Sequence, residues 1–186
     1  MPELAGFRLC GGTSLALQIG HRVSVDLDFF TPDPVQYGPL IEVLGVDFQF
    51  LENYETQKIM SCYLNGVKVD FVHYTYPWLY VPVHEDGIEL CSLQDIGAMK
   101  LEAIKGRGRK RDFVDLYFLL QVFSLAKLME FNKLKFNNAD LSLILKSLTY
   151  FADAEGDDDL KMHKKLSWTK VKDTISKSVF HYIKAL

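Results

Sequence analysis

Two aspartates one residue apart, Asp26 and Asp28, follow a Gly11-Gly12-Thr13-Ser14 run by a dozen residues. Side-by-side carboxylates repel unless a cation sits between them. A hard divalent ion such as Mg²⁺ takes oxygen ligands, a few from protein and the rest from water and phosphate. The paired glycines allow a tight turn and a close backbone approach to a ligand. A helix starting at Ser14 adds free N–H groups and the positive end of its dipole, an anion site suited to phosphate. One short segment thus offers a phosphate cradle and a metal clamp. Neither motif suffices alone: Gly-Gly is most often a turn, and Asp-x-Asp occurs on solvated strands and in glycosyltransferases. Their combination at this spacing carries the reading.

The clamp needs a strand to hold it. From Arg22 to Phe29, polar Arg22, Ser24, Asp26 and Asp28 alternate with apolar Val23, Val25, Leu27 and Phe29. This period of two predicts a half-buried strand with both aspartates on one face and Arg22 and Ser24 in line behind them. Phe7 to Cys10 reads as a short strand entering the glycine turn, Tyr37 to Leu44 as a helix and Val46 to Leu51 as a strand. Lys58–Leu64 and Val67–His73 form a predicted hairpin closed by Asn65-Gly66. On its second strand Lys68 and Asp70 share the polar face. A carboxylate in so apolar a strand needs a partner, which is Lys68, solvent, or the metal held by Asp26 and Asp28. A third carboxylate on a neighbouring strand also suits deprotonation of an attacking hydroxyl.

The rest of the chain is helical in pattern. A short strand, Ile88 to Cys91, precedes Ser92-Leu93-Gln94-Asp95, which has the form of a helix N-cap. The helix that follows carries Ile96, Met99 and Ala103 on one side, with Lys100 beside them. Lys105 to Arg111 holds five basic residues in seven, broken by Gly106 and Gly108, and reads as a connection with Arg109 and Lys110 solvated. The next helix starts near Asp112, an acid at the positive end of the dipole, and shows an apolar stripe from Phe113 to Phe123. Arg111 and Asp115, four apart, either pair on one face or reach back with Lys100 to the phosphate site. Leu141–Phe151 and the segment bearing Trp168, Val171, Ile175 and Val179 are further helices. The acidic run Glu155 to Asp159 lacks the ligand spacing of a calcium loop and reads as solvated.

Composition bounds the rest. The 186 residues are 48% hydrophobic and 13% aromatic, which indicates a globular chain. A net charge of −3 excludes a global basic field for nucleic acid, so any RNA contact must be local. Three cysteines without CxxC spacing predict buried thiols in a reducing cytosol. With no signal peptide and no apolar run long enough to span a bilayer, a soluble cytoplasmic protein without a membrane partner is expected.

Gly11-Gly12-Thr13-Ser14 with Asp26-x-Asp28, followed by Lys100-Leu-Glu-Ala-Ile-Lys-Gly-Arg107-x3-Arg111-Asp112-Phe-Val-Asp115-Leu, resembles the nucleotidyltransferase AbiEii/AbiGii toxin family over about residues 6 to 123. The resemblance implies an α+β nucleotidyltransferase-like fold, a mixed twisted sheet with flanking helices and a helical C-terminal half. It divides the chain into a catalytic core, 1–91, and a helical part, 92–186. It implies a Mg²⁺-dependent transfer of a nucleotide from an NTP to an acceptor such as the 3′ end of tRNA or a protein, with a cognate antitoxin as partner. Gly11, Gly12, Thr13, Ser14, Arg22, Arg107 and Arg111 then hold the nucleotide. Asp26 and Asp28 hold the metal, while Lys100 and Asp115 match the family's later lysine and aspartate. Asp70 matches the third carboxylate, and metal ligand, of nucleotidyltransferases at large. Family members have a longer lead before the glycine turn, so a missing N-terminal segment is expected here. Two other readings are a catalytically inactive nucleotide-binding module that docks a partner, and an enzyme that nucleotidylates a small antibiotic.

Overall fold

The structure is a computed structural model that describes residues 2–137 and 140–186. Seven strands form one mixed sheet: β1 (Arg8–Leu9), β2 (Leu27–Thr31), β3 (Phe50–Glu55), β4 (Ile59–Leu64), β5 (Val67–His73), β6 (Val83–Glu85) and β7 (Ile88–Leu90), in the order β3-β4-β5-β2-β1-β7-β6. The β2/β5 and β1/β7 pairs are parallel and the others antiparallel. The helices are α1 (Gly11–Ile19), α2 (Tyr37–Asp47), α3 (Leu93–Gly106), α4 (Lys110–Leu119), α5 (Leu125–Phe136), α6 (Leu141–Leu148), α7 (Ala152–Glu155) and α8 (Trp168–Lys184).

Strand periodicity sorts the side chains between two cores. Met60 and Cys62 of β4 and Val69 and Phe71 of β5 are buried with Tyr37, Leu40 and Leu44 of α2, and Leu27 and Phe29 of β2 pack beside them. The alternate residues Asp28, Ser61, Lys68 and Asp70 therefore fall on the opposite face. The helices build the larger core there, around Leu101, Phe113, Leu116, Leu128, Phe131 and Val171. Cys10, Leu15 and Cys91 belong to this same cluster.

Asn65 and Gly66 both take positive φ (49° and 80°), the two-residue turn expected between β4 and β5. Asp86 and Gly87 repeat that chemistry (46° and 78°) between β6 and β7, although β6 is not evident in the sequence pattern. Ser92 caps α3, its hydroxyl accepting from the Asp95 N–H at 3.0 Å.

Three local expectations are corrected. Val46 and Asp47, read as the start of a strand, close helix α2, and the strand begins only at Phe50. Helix α1 begins at Gly11, not Ser14. The alternating stretch from Arg22 does not enter the sheet until Leu27. Its first residues bond elsewhere: Arg22 bridges to Met162, and the Val23 N–H donates to the Lys161 carbonyl at 2.8 Å. The strand-like period is present, but the hydrogen-bonding partner is a loop from the far end of the chain.

Candidate active site

On the face away from α2, a cavity of about 430 Å³ opens between the sheet and α3. Nine of the twelve residues singled out above line it: Gly11, Gly12, Arg22, Asp26, Asp28, Asp70, Lys100, Arg107 and Arg111. Ile96, Met99, Lys100 and Ala103 of α3 and Arg107 just past its end line the cavity, as do Phe30 and Tyr74. Thr13, Ser14 and Asp115 lie behind the surface.

Parallel pairing sets Asp28 of β2 directly beside Asp70 of β5. Asp70 has both oxygens engaged, at 2.6 Å from the Ser61 hydroxyl and 2.8 Å from the Lys68 ammonium. Asp26, in the segment before β2, stands 3.6 Å from Arg111. The Asp28 carboxylate has neither a hydrogen bond nor an ion pair among the described residues. Burial, then Asp70 and Asp26, push its carboxyl above the usual range. Among the described residues, no three His, Cys, Asp or Glu side chains converge as a ready-made metal cluster.

The glycine pair serves this cluster directly. Gly11 has φ +67°, and a Cβ there would lie 2.6 Å from an Asp28 carboxylate oxygen. A Cβ on Gly12 would strike the Arg22 guanidinium. The start of α1, with no side-chain cap, leaves backbone N–H groups at the cavity wall. Thr13 serves the site from behind. Its buried hydroxyl donates to the Asp26 carbonyl and shares a 2.9 Å hydrogen bond with Ser24. It thereby fixes the segment that delivers Asp26. Ser14 is fully buried and accepts from Gln18, whose amide also donates to the Cys91 carbonyl.

Beneath the cavity runs a buried ionic network. Asp115 receives Arg22 through both oxygens (2.7 and 2.9 Å), the Lys100 ammonium at 2.6 Å and a His21 ring nitrogen at 2.8 Å. Lys100 also reaches Asp112 at 2.9 Å, and Arg107 closes on Asp112 at 3.0 Å. Burial opposes the charges of Lys100, Arg107, Asp112 and Asp115, yet the pairing wins. Lys100 is held above, Asp112 below and Asp115 well below their ordinary values by one another and by Arg107, His21 and Arg22. Arg111 and Asp115 do not pair. Arg111 faces Asp26, and Asp115 belongs to the network.

Sequence reasoning missed His21 and the internal role of Asp112, read above only as a helix-dipole acid. Ser61 was also missed, although it faces Asp70 across the recognised hairpin. The acidic run was read as solvated, but Asp157 accepts from Arg109 at 2.7 Å and from the Lys110 backbone N–H at 2.8 Å. Arg109 and Lys110 are correspondingly engaged there, and Lys110 is buried.

Solved structures share this fold, a mixed sheet carrying carboxylates opposite a glycine-led helix. The chain is similar to MenT4, a nucleotidyltransferase toxin of Mycobacterium tuberculosis, with TM-score 0.62 and 17% identity over 97% of this chain and 76% of that one. It is also similar to JHP933 of Helicobacter pylori, with TM-score 0.53 and 17% identity over 97% and 85%. A family model described as nucleotidyl transferase AbiEii toxin, type IV TA system, matches residues 2–180. An Aquifex aeolicus (strain VF5) protein, aq_aa25, is 35% identical over 185 residues, 95% of this chain and 88% of that protein. The chain belongs to the AbiEii nucleotidyl transferase toxin family of type IV toxin–antitoxin systems. Its class of enzyme is therefore nucleotidyltransferase, with an NTP substrate and an antitoxin partner implied by the family. No helix among the described residues is long and apolar enough to cross a membrane.

Proposed function

We propose that the protein moves a nucleoside monophosphate from an NTP to an acceptor hydroxyl, with the 3′ end of tRNA as the acceptor. The observation that carries this is the Asp28 carboxylate, without a partner among the described residues, lining the cavity with Asp26 and Asp70 beside the start of α1.

Nucleotidyltransferases generally use divalent metal ions, and hard oxygen donors with one uncompensated carboxylate fit such an ion. Mg²⁺ held by Asp26 and Asp28, with Asp70 as third ligand, would offset charge on the triphosphate and on departing pyrophosphate. The chain's own groups do the rest. Backbone N–H groups of Gly11 and Gly12 bind phosphate oxygens at the positive end of α1. Lys100, Arg107 and Arg111 present cations to charge that grows on the α-phosphate and leaving group. Asp70 takes the proton of the acceptor hydroxyl as its oxygen attacks phosphorus in line, and the bond to pyrophosphate breaks. Arg22 and Asp115 act at one remove: Asp115 holds Lys100 and Arg22 in place, and Arg22 backs Gly12.

The test is incubation with Mg²⁺, total tRNA and each labelled NTP in turn, with Asp26→Ala/Asp28→Ala alongside. Label on RNA with the wild type alone supports the proposal and names the nucleotide. Label only on protein redirects the acceptor to a protein. NTP binding without transfer would leave a nucleotide-binding docking module.

A further inference from the structure

Lys68 has no role in the mechanism above, yet it sits inside the acidic half of the cavity. Of the five cations that line it, Arg22, Lys100 and Arg107 are committed to Asp115 and Asp112 in the network beneath. Arg111 stands 3.6 Å from Asp26, beyond hydrogen-bond distance. Lys68 alone makes a close contact with one of the three carboxylates, 2.8 Å from Asp70.

The strand imposes that contact. Two residues apart on β5, Lys68 and Asp70 project from the same face. Ser61 of β4 holds the other Asp70 oxygen at 2.6 Å, so each oxygen of the carboxylate already has one partner within the sheet. Its neighbour in register, Asp28, has no side-chain partner among the described residues. The lysine is also able to leave. Its side chain is 35% exposed against 17% for Asp70, and a compact ammonium on a flexible four-carbon stem can swing from this partly exposed ion pair to another anion in the same cavity.

We propose that Lys68 is an exchangeable counter-ion of the active site. In the nucleotide-free protein its ammonium occupies Asp70, and on arrival of a metal–triphosphate it passes from that carboxylate to a phosphate oxygen. Lys68 thus competes with a divalent cation for Asp70 but assists the triphosphate. Metal and nucleotide consequently bind as a unit, each weakly without the other. The exchange rests on the metal–nucleotide reading above.

The two halves of the role have opposite signs, and the experiment uses that. Wild type, Lys68→Met and Lys68→Arg are titrated with MnCl₂ alone, followed by the electron paramagnetic resonance of unbound Mn²⁺. They are then titrated with sodium tripolyphosphate alone, followed by calorimetry. Lys68→Met is expected to bind Mn²⁺ about three- to tenfold more tightly and tripolyphosphate more weakly by a similar factor, the range of a partly exposed charge contact. Lys68→Arg should stay near wild type in both. A merely structural lesion would weaken both ligands, and that result, or an unchanged Mn²⁺ affinity, overturns the exchange. An Asp28→Asn control separates the two levels. If it loses Mn²⁺ while Lys68→Met changes nothing, the carboxylate clamp stands and the exchange falls. If the wild type takes up no Mn²⁺ even with an NTP present, the metal reading falls and takes the exchange with it.

Discussion

Asp28 and Lys100 illustrate two opposite ways of placing a charge. Asp28 is partly buried among like charges with no cation of its own, and its carboxyl is held above the usual range by burial, Asp70 and Asp26. An acid whose folded value is raised binds protons more readily folded than unfolded, so its contribution to stability improves as pH falls. In metal-free buffer at pH 7, Asp28→Asn should therefore raise the melting temperature by about 2–4 °C, the shift of roughly 1 kcal/mol for a chain of this size. The same variant should transfer no nucleotide. Calorimetry beside the labelling assay checks both, and a lowered melting temperature would contradict the account of Asp28. Lys100 behaves in reverse. It is 5% exposed and neutralises two fully buried aspartates. Lys100→Met leaves Asp112 and Asp115 under-compensated and should cost about 3–5 kcal/mol, read from urea unfolding.

Elements built on local spacing were legible in the sequence; partnerships between distant elements were not. The α3 stripe, its Ser92 cap and the Asn65-Gly66 turn depend on neighbours within a few residues, and each appears where the pattern put it. By contrast, Asp115 meets Arg22 and His21 across 93 and 94 positions, and the stretch that begins at Arg22 pairs with a loop from the far end of the chain. Nothing in an alternating Arg-Val-Ser-Val-Asp announces that its first residue turns inward. The Asp86-Gly87 turn was missed for a local reason: β6 is three residues long and exposed throughout, so it offers no burial pattern to read. The start of α4 shows the same limit. Its N-terminal N–H is capped by Asp157, 47 residues away, which also holds Arg109. Asp157→Ala should lose roughly 1 kcal/mol, as a missing N-cap does, while Asp158→Ala, next to it, should lose almost nothing. Parallel urea titrations would check this, and equal losses would deny Asp157 the cap.

For the whole molecule, the network sets the acid limit. The Asp112 and Asp115 carboxyls are depressed by their cations, so the stability they add is fully present above the unfolded carboxylate value, about 4. It is lost as pH falls through the folded values below that. Circular dichroism should show helical signal holding to about pH 4 and falling cooperatively beneath it, and loss already near pH 6 would be inconsistent with this origin. The network has a second consequence, in how a member of this toxin family can be disarmed by mutation. Cells selected for survival would acquire two kinds of broken gene. Changes at Lys100, Arg22 or Asp115 remove the keystone along with the activity, and the chain should vanish by proteolysis. Changes at Asp26 or Asp28 should leave an intact, inert chain. Immunoblots of survivors would sort the two: the first kind lacks the protein, and the second carries it at full length and normal abundance.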